Sequence, residues 1–435
     1  MKNVFLALVA FGVSAGAWAQ CNDYKWPKDQ ALAEKHVDAF KAAVKEQNYK
    51  AAVPGIQWMI ANAPQWHSDL YVAALETYDN LAEKEQDPGT KENYIDSLFI
   101  IYDLRIKNCG EEEYVLNRKA YSARKFLNTN KAKAAESLAI FDKTFEVSGN
   151  NVLDNNLIGY MDAIRLNSDL SVDQVMQRYN KLSEVIDSKM KKAQQQNNSA
   201  DISKYNKVYT YIDGRLPKMV KMDCDFVTKY LDGPYKANPT DVRLAKRLFE
   251  VVADGNCAYS PTWFEAAETV HKAAPGFAVA KELGIAYIQA KNFDKGTALI
   301  TEVQGLAKTP PKNLWVELLK GDMEYQKGNK AAARDLYKQA LVVDPASKDA
   351  YERIGDLYVS STEDCSKAPG SAEEKLIYIA AFQQYLKSGN RQKMEQTLAK
   401  YPTAADLVKA NWKAGETKKL ACWIDETVTV KARKE

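Results

Sequence analysis

Three histidines, six cysteines and many carboxylates are the residues with chemistry to offer, and their spacing decides what kind. His36, His67 and His271 lie far apart, each in or beside an amphipathic segment. Such isolated histidines are expected to serve as ordinary helix residues. Hydrolysis would need a nucleophile elbow, a metal cluster or a matched acid–base pair. The chain contains no HExxH, GxSxG or Walker pattern and no glycine-rich phosphate loop. Asp223-Cys224-Asp225 sets two carboxylates around one thiol, a poor metal site whose cysteine is better used in a disulfide. We therefore assign no catalytic residue, metal ligand or cofactor, and expect a protein that is not an enzyme.

The cysteines are Cys21, Cys109, Cys224, Cys257, Cys365 and Cys422, and none forms a CxxC pair. Zinc and thioredoxin-type chemistry are thereby disfavoured. The N-terminus sets the compartment. "MKNVFLALVAFGVSAGAWAQC" has one early cation, an apolar run and Ala17-Trp18-Ala19, the pattern of a secretory leader cleaved after residue 19. Its apolar run is too short to span a bilayer, and no later segment is long and apolar enough to do so. Gln20 and Trp18 stand where a lipoprotein leader carries a small and an aliphatic residue, which disfavours lipidation at Cys21. An exported chain with an even cysteine count is expected to form disulfides. Six cysteines allow fifteen pairings, and sequence alone does not choose among them. If sequence neighbours are spatial neighbours, Cys224–Cys257 and Cys365–Cys422 are expected, leaving Cys21–Cys109.

The formal net charge is +3, and one less without Lys2 of the leader. That balance argues against nucleic acid as a partner. The rest of the chain reads as helical segments broken by short polar turns. "DQALAEKHVDAFKAAVKEQ" carries Ala33, Val37, Phe40 and Val44 at the spacing of one helix face. A turn is expected at Asp87-Pro88-Gly89. Two longer helices are expected around a polar bend at 194–199, and Thr240 is expected to cap the helix beginning "DVRLAKRLFEVVAD". The last twenty residues alternate Thr427 and Thr429 with Val428 and Val430, a period of two that predicts a short strand or hairpin. The predicted divisions are a leader at 1–19, a helical array at 20–237, a second at 238–415 and a β tail at 416–435.

A repeat orders the second array. Gly321 and Gly355 are 34 residues apart, and Gly284 precedes Gly321 by 37. Leu283, Gly284 and Tyr287 recur in place as Ile354, Gly355 and Tyr358, after Tyr351. Gly328, Ala333, Tyr337, Ala340 and Pro345 supply the following turn and helix. The 314–347 unit carries Glu317, Lys320 and Glu324 where larger apolar residues would fit. "STEDCSKAPGSAEE" interrupts the unit that begins at Tyr351. This pattern resembles the tetratricopeptide repeat (TPR), a helix-turn-helix unit of about 34 residues. The whole chain also resembles secreted TPR proteins of Bacteroidota, in "QCNDYKWPKD", "IYDLRIKNCGEEEYVLNRKA", "RIGDLYVSSTEDC" and "ACWIDETVTV".

The resemblance implies an all-α, TPR-type helix-turn-helix solenoid with a short C-terminal β strand or hairpin. It also implies a groove that binds a protein or extended peptide. The residues expected to face that groove are Asp322, Tyr325, Asp349, Glu352 and Asp356, an acidic set with one aromatic. The Lys and Asn of a carboxylate-clamp TPR are missing from these places. The leading expectation is a scaffold or adaptor in the bacterial envelope, periplasmic or associated with the outer membrane, serving envelope assembly or secretion. A glycan- or peptidoglycan-binding module is the alternative, and a hydrolase with its site in the insertions is the second.

Overall fold

The computed structural model describes residues 21–255, 257–366, 370–420 and 422–433. The predicted leader lies outside them. The chain divides into two compact units, one ending at Lys221 and the other beginning at Met222. Among the described residues no helix is long and apolar enough to cross a membrane.

The first unit holds α1 (Gln30–Lys45), α2 (Tyr49–Asn62), α3 (Ser68–Lys84), α4 (Pro88–Cys109), α5 (Glu112–Phe126), α6 (Ala134–Ser148), α7 (Asp154–Leu166), α8 (Val172–Gln195) and α9 (Ser199–Arg215). α1 packs on α2, α3 on α4 and α8 on α9, while α5 packs on both α6 and α7. Amphipathic faces drive the pairing: Ala33, Val37 and Phe40 of α1 are buried, as their spacing requires. Asp87-Pro88-Gly89 is a helix start rather than a free turn. Asp87 caps α4 by accepting from the Thr90 amide, and Pro88 takes the first turn, where its missing N–H costs nothing. The bend between α8 and α9 uses Asn197 in the left-handed region and Asn198 as the cap of α9.

The second unit opens with α10 (Cys224–Phe226), a π-helical stretch at Val227–Leu231 and α11 (Asp232–Ala237). Next come α12 (Val242–Asp254), α13 (Pro261–Ala273), α14 (Phe277–Gln289), α15 (Phe293–Leu306), α16 (Pro310–Gln326) and α17 (Lys330–Val343). They are followed by α18 (Lys348–Val359), α19 (Thr362–Cys365), α20 (Ala372–Ser388), α21 (Arg391–Leu398) and α22 (Ala404–Lys409). The cap of α12 is Asp241, whose side chain accepts from the Leu244 amide. Thr240, expected in that role, instead donates to the Asn238 side chain. The difference is one residue of register: the cap must sit just before the first helical residue.

α12–α13, α14–α15, α16–α17 and α18–α20 are the packed pairs. The all-α, TPR-type helix-turn-helix plan is therefore the fold, with a short hairpin at its end. Close crossing explains its small residues. A methyl group on Gly321 would lie 2.3 Å from a ring carbon of Tyr337, and one on Gly355 would lie 2.6 Å from a ring carbon of Tyr385. Each tyrosine occupies the space that its glycine leaves. Tyr385 follows Gly355 by 30 positions where Tyr337 follows Gly321 by 16; the inserted segment with α19 makes the difference. Leu283, Ala333, Ala340, Ile354 and Tyr358 are buried beside them. Gly328 turns α16 into α17 at φ +87°. Pro345 follows α17, and its carbonyl accepts from the Tyr351 hydroxyl. Glu324, at a position where a larger apolar residue would fit, bonds Lys327 and Asn329 across the turn.

The hairpin pairs β1 (Thr417–Lys419) antiparallel with β2 (Thr427–Thr429), placing Lys418 opposite Val428. Val428, Val430, Leu420 and Ile424 are buried in the core of α17, α18 and α20. Arg334 of α17 donates to the carbonyls of Trp423 and Ile424. The disulfides are Cys21–Cys109, Cys224–Cys257 and Cys365–Cys422, the pairing that sequence proximity favoured. The last joins α19 to the connection between the two strands.

One arrangement recurs in both units. A tyrosine hydroxyl donates to a carboxylate on another helix, and that carboxylate also holds a cation from a third element. Tyr337 (α17) donates to Asp322 (α16), which binds Arg353 (α18). Tyr385 (α20), Asp356 (α18) and Lys393 (α21) repeat it, as do Tyr160 (α7), Asp142 (α6) and Arg178 (α8). Tyr287 (α14), Glu268 (α13) and Lys295 (α15) form another. Tyr358 (α18), Glu426 of the hairpin and Lys338 (α17) form a fifth.

Gly321→Ala forces the Tyr337 ring to move and should cost about 1–3 kcal/mol in urea unfolding. Gly305→Ala, in open space on α15, should instead gain about 0.5–1 kcal/mol. Asp322→Ala should cost more than Tyr337→Phe: the first leaves a buried hydroxyl unpaired and Arg353 with only the exposed Asp349, at roughly 2–4 kcal/mol, and the second loses one hydrogen bond, at about 1 kcal/mol. Burial first, then the adjoining carboxylates, hold the phenols of Tyr160, Tyr337, Tyr358 and Tyr385 well above the ordinary tyrosine range. Because the folded values are raised, this stabilisation is complete below pH ~10 and is lost only as pH rises through the folded values. In an alkaline titration the native chain should withhold the tyrosinate absorbance of these residues until it unfolds, whereas the urea-unfolded chain should show it near pH ~10.

Candidate partner-binding groove

In the second unit, α14, α16 and α18 lie along one face as the first helices of three successive pairs. Each sends residues to a shared cavity of about 210 Å³. Ile285, Ile288 and Gln289 come from α14; Asp322, Tyr325 and Gln326 come from α16; Arg353 and Asp356 come from α18. The Tyr337 ring, lodged against Gly321, reaches the cavity from α17. Three of the five residues expected at the groove, Asp322, Tyr325 and Asp356, meet here.

The other two stand at its margin. Asp349 is 59% exposed at its side chain and 3.9 Å from Arg353. Glu352 lies 2.8 Å from Lys393. Burial works against its ionised form, but the Lys393 and Asn390 hydrogen bonds outweigh it and hold the carboxyl below the usual range.

The carboxylates of Asp322 and Asp356 are already engaged. Arg353 reaches Asp322 with two nitrogens, at 2.8 and 3.2 Å, while also lying over the Trp315 ring. Lys393 is 2.7 Å from both oxygens of Asp356. Four carboxylates thus share two cations, which leaves the margin negative by two charges. Ile285 and Ile288 make one wall apolar. The carboxamides of Gln289 and Gln326 and the Tyr325 hydroxyl have no hydrogen-bond partner among the described residues.

Sequence reading missed Arg353, Lys393 and the two glutamines. Arg353 left a trace, since it follows Asp349 by four positions on one helix. Lys393 left none, because only the fold of α21 onto α18 brings it to Asp356.

A second cavity, of about 510 Å³, lies on the other side of the α14 terminus. Val252 of α12, Tyr259 of the following loop, Phe264 of α13, Ala286 and Gln289 of α14 and its cap residue Ala290 line it, with no charged side chain. Its aromatic walls are braced from behind: Tyr259 lies 4.3 Å from Trp263 between ring centroids, and Phe264 lies 4.8 Å from Tyr287. In the first unit a wider trough of about 810 Å³ runs between α4 and α6 over α5. Its charges are largely matched, with Lys119 on Asp103 and Lys133 on Asp96.

The histidines are not brought together. His36 stacks on Trp58, His67 caps α3 and pairs with Asp69, and His271 meets Glu302. Asp223 caps α10 through the Phe226 amide, and Cys224 is in its disulfide. Among the described residues no three His, Cys, Asp or Glu side chains are grouped to hold a metal ion. What the groove offers is donors, acceptors, charge and an apolar wall.

No protein-family model matches the chain, and no curated protein matches it. Among solved structures the chain is similar to the crystal structure of yeast Tom70, at 12% identity and a TM-score of 0.33, over 87% of this chain and 83% of that one.

Proposed function

We propose that this protein is a non-catalytic scaffold that holds a protein partner on the face formed by α14, α16 and α18. One observation carries the reading. A rigid, ion-paired base presents uncommitted polar groups, on Gln289, Gln326 and Tyr325, around a cavity open to a side chain. Rigid helices that present adaptable hydrogen-bonding groups lose little entropy on binding. We take the protein to be exported, and to act in the bacterial envelope, in the periplasm or at the outer membrane. The leader sequence supports this, as do three disulfides, which persist in oxidising compartments.

In-cell crosslinking followed by affinity recovery tests the proposal. The native chain should retain a defined protein, and the double variant Tyr325→Ala, Gln326→Ala should lose it while remaining folded by circular dichroism, although Tyr325 also packs on the core. Recovery of no protein, or of the same proteins with the variant, would overturn it.

A further inference from the structure

Gln289 lines both cavities of the second unit. It stands at the C-terminal end of α14, with the aromatic cavity on one side and the charged one on the other. The two are therefore neighbouring stations of one trough, and their chemistries differ. The first is walled by Tyr259 and Phe264 and carries no charge. The second holds Asp322, Asp356 and Arg353, with Glu352 and Asp349 at its margin, and is negative by two charges after Arg353 and Lys393 are counted.

We infer that the trough takes an extended peptide segment of a partner protein carrying an aromatic or large aliphatic side chain and, two or four residues away, a lysine or arginine. This rests on the proposed partner-binding face and names what that face selects. Adjacent helices stand about 10 Å apart, and an extended chain advances about 3.3 Å per residue with side chains on one face at every second position. The two cavities flank α14, so their centres stand about one helix spacing apart, and an apolar anchor in one and a cation in the other fall two or four residues apart. The Gln289 carboxamide lies between them, with a donor and an acceptor both unused, the complement of one peptide unit. The apolar side chain gains burial against braced rings, and the cation meets surplus carboxylate. An acidic residue in its place would meet repulsion, so the charge supplies selectivity as well as attraction.

The test uses the mature full chain and two labelled peptides, Gly-Trp-Ser-Lys-Gly and Gly-Trp-Ser-Gly-Ser-Lys-Gly, read by fluorescence anisotropy. At least one should bind saturably. Replacing its Lys by Glu, or its Trp by Ser, should weaken it by about tenfold or more. In the protein, Ala290→Trp fills the aromatic cavity from an exposed position. It should weaken the Trp peptide and leave the Ser peptide unchanged. Asp356→Asn should shrink the Lys-over-Glu preference. If that variant melts early, Glu352→Gln, at a partly exposed position, replaces it. Equal binding of Lys and Glu peptides, indifference to Ala290→Trp, or no saturable binding of either peptide would each overturn the inference. Recovery of a crosslinked partner through Tyr325 and Gln326 would still stand in those cases, so the two readings fail separately.

Discussion

A buried phenol has one polar atom to satisfy, and here that atom repeatedly finds a carboxylate on another helix. Burying a hydroxyl without a partner is costly, and burying a carboxylate without a cation is more so. Each tyrosine therefore needs its acid, and each acid needs a lysine or arginine from a third element. Tyr337, Asp322 and Arg353 tie α17, α16 and α18; Tyr160, Asp142 and Arg178 tie α7, α6 and α8. The hydrophobic contact of a helix pair is indifferent to small rotations, but a three-part polar contact is not. Each group of three thus sets the angle at which one pair meets the next helix. The cavity lined by α14, α16 and α18 inherits its rigidity from this: the carboxylates at its floor are already fixed by cations of their own chain.

Sequence reading was strongest where one residue's size dictates its neighbour. Gly321 recurs as Gly355 after 34 positions because a ring packs where no Cβ stands, and that glycine is visible in a string of letters. The equivalent role of Tyr385 was not visible, since the inserted segment with α19 moved it out of period. In the first unit, amphipathic spacing announced helices and their pairing, but α5 packs against two helices, and no repeat could announce that. Asp322, Tyr325 and Asp356 were legible as neighbours because helix periodicity places them on one face, and they line one cavity. Their pairing was not, because the cations that meet them come from α18 and α21, whose approach is decided in three dimensions. A face that reads as bare acid in sequence is a half-neutralised lattice in the fold.

The three disulfides sit where helix packing gives least. Cys21 precedes the first helix and is tied to the end of α4. Cys224 begins the irregular stretch ahead of α12 and is tied just beyond it. Cys365 ends the four-residue α19 and is tied to the loop of the hairpin. Crosslinks of this kind limit the freedom of the unfolded chain, and they also pin segments that would otherwise fray. The Cys224–Cys257 bridge has a local role too, since Cys257 lines the aromatic cavity and fixes the loop that carries Tyr259.

Helical repeats are open-ended by nature: the last pair of an array exposes the same apolar face that every earlier pair buries. In the second unit α21 packs on α20 beyond the last pair, while Leu420, Ile424, Val428 and Val430 are buried with α17, α18 and α20, and Glu426 satisfies the hydroxyl of Tyr358. The hairpin acts as a clasp: the Ile424 carbonyl is held by Arg334 of α17, 90 positions earlier in the chain.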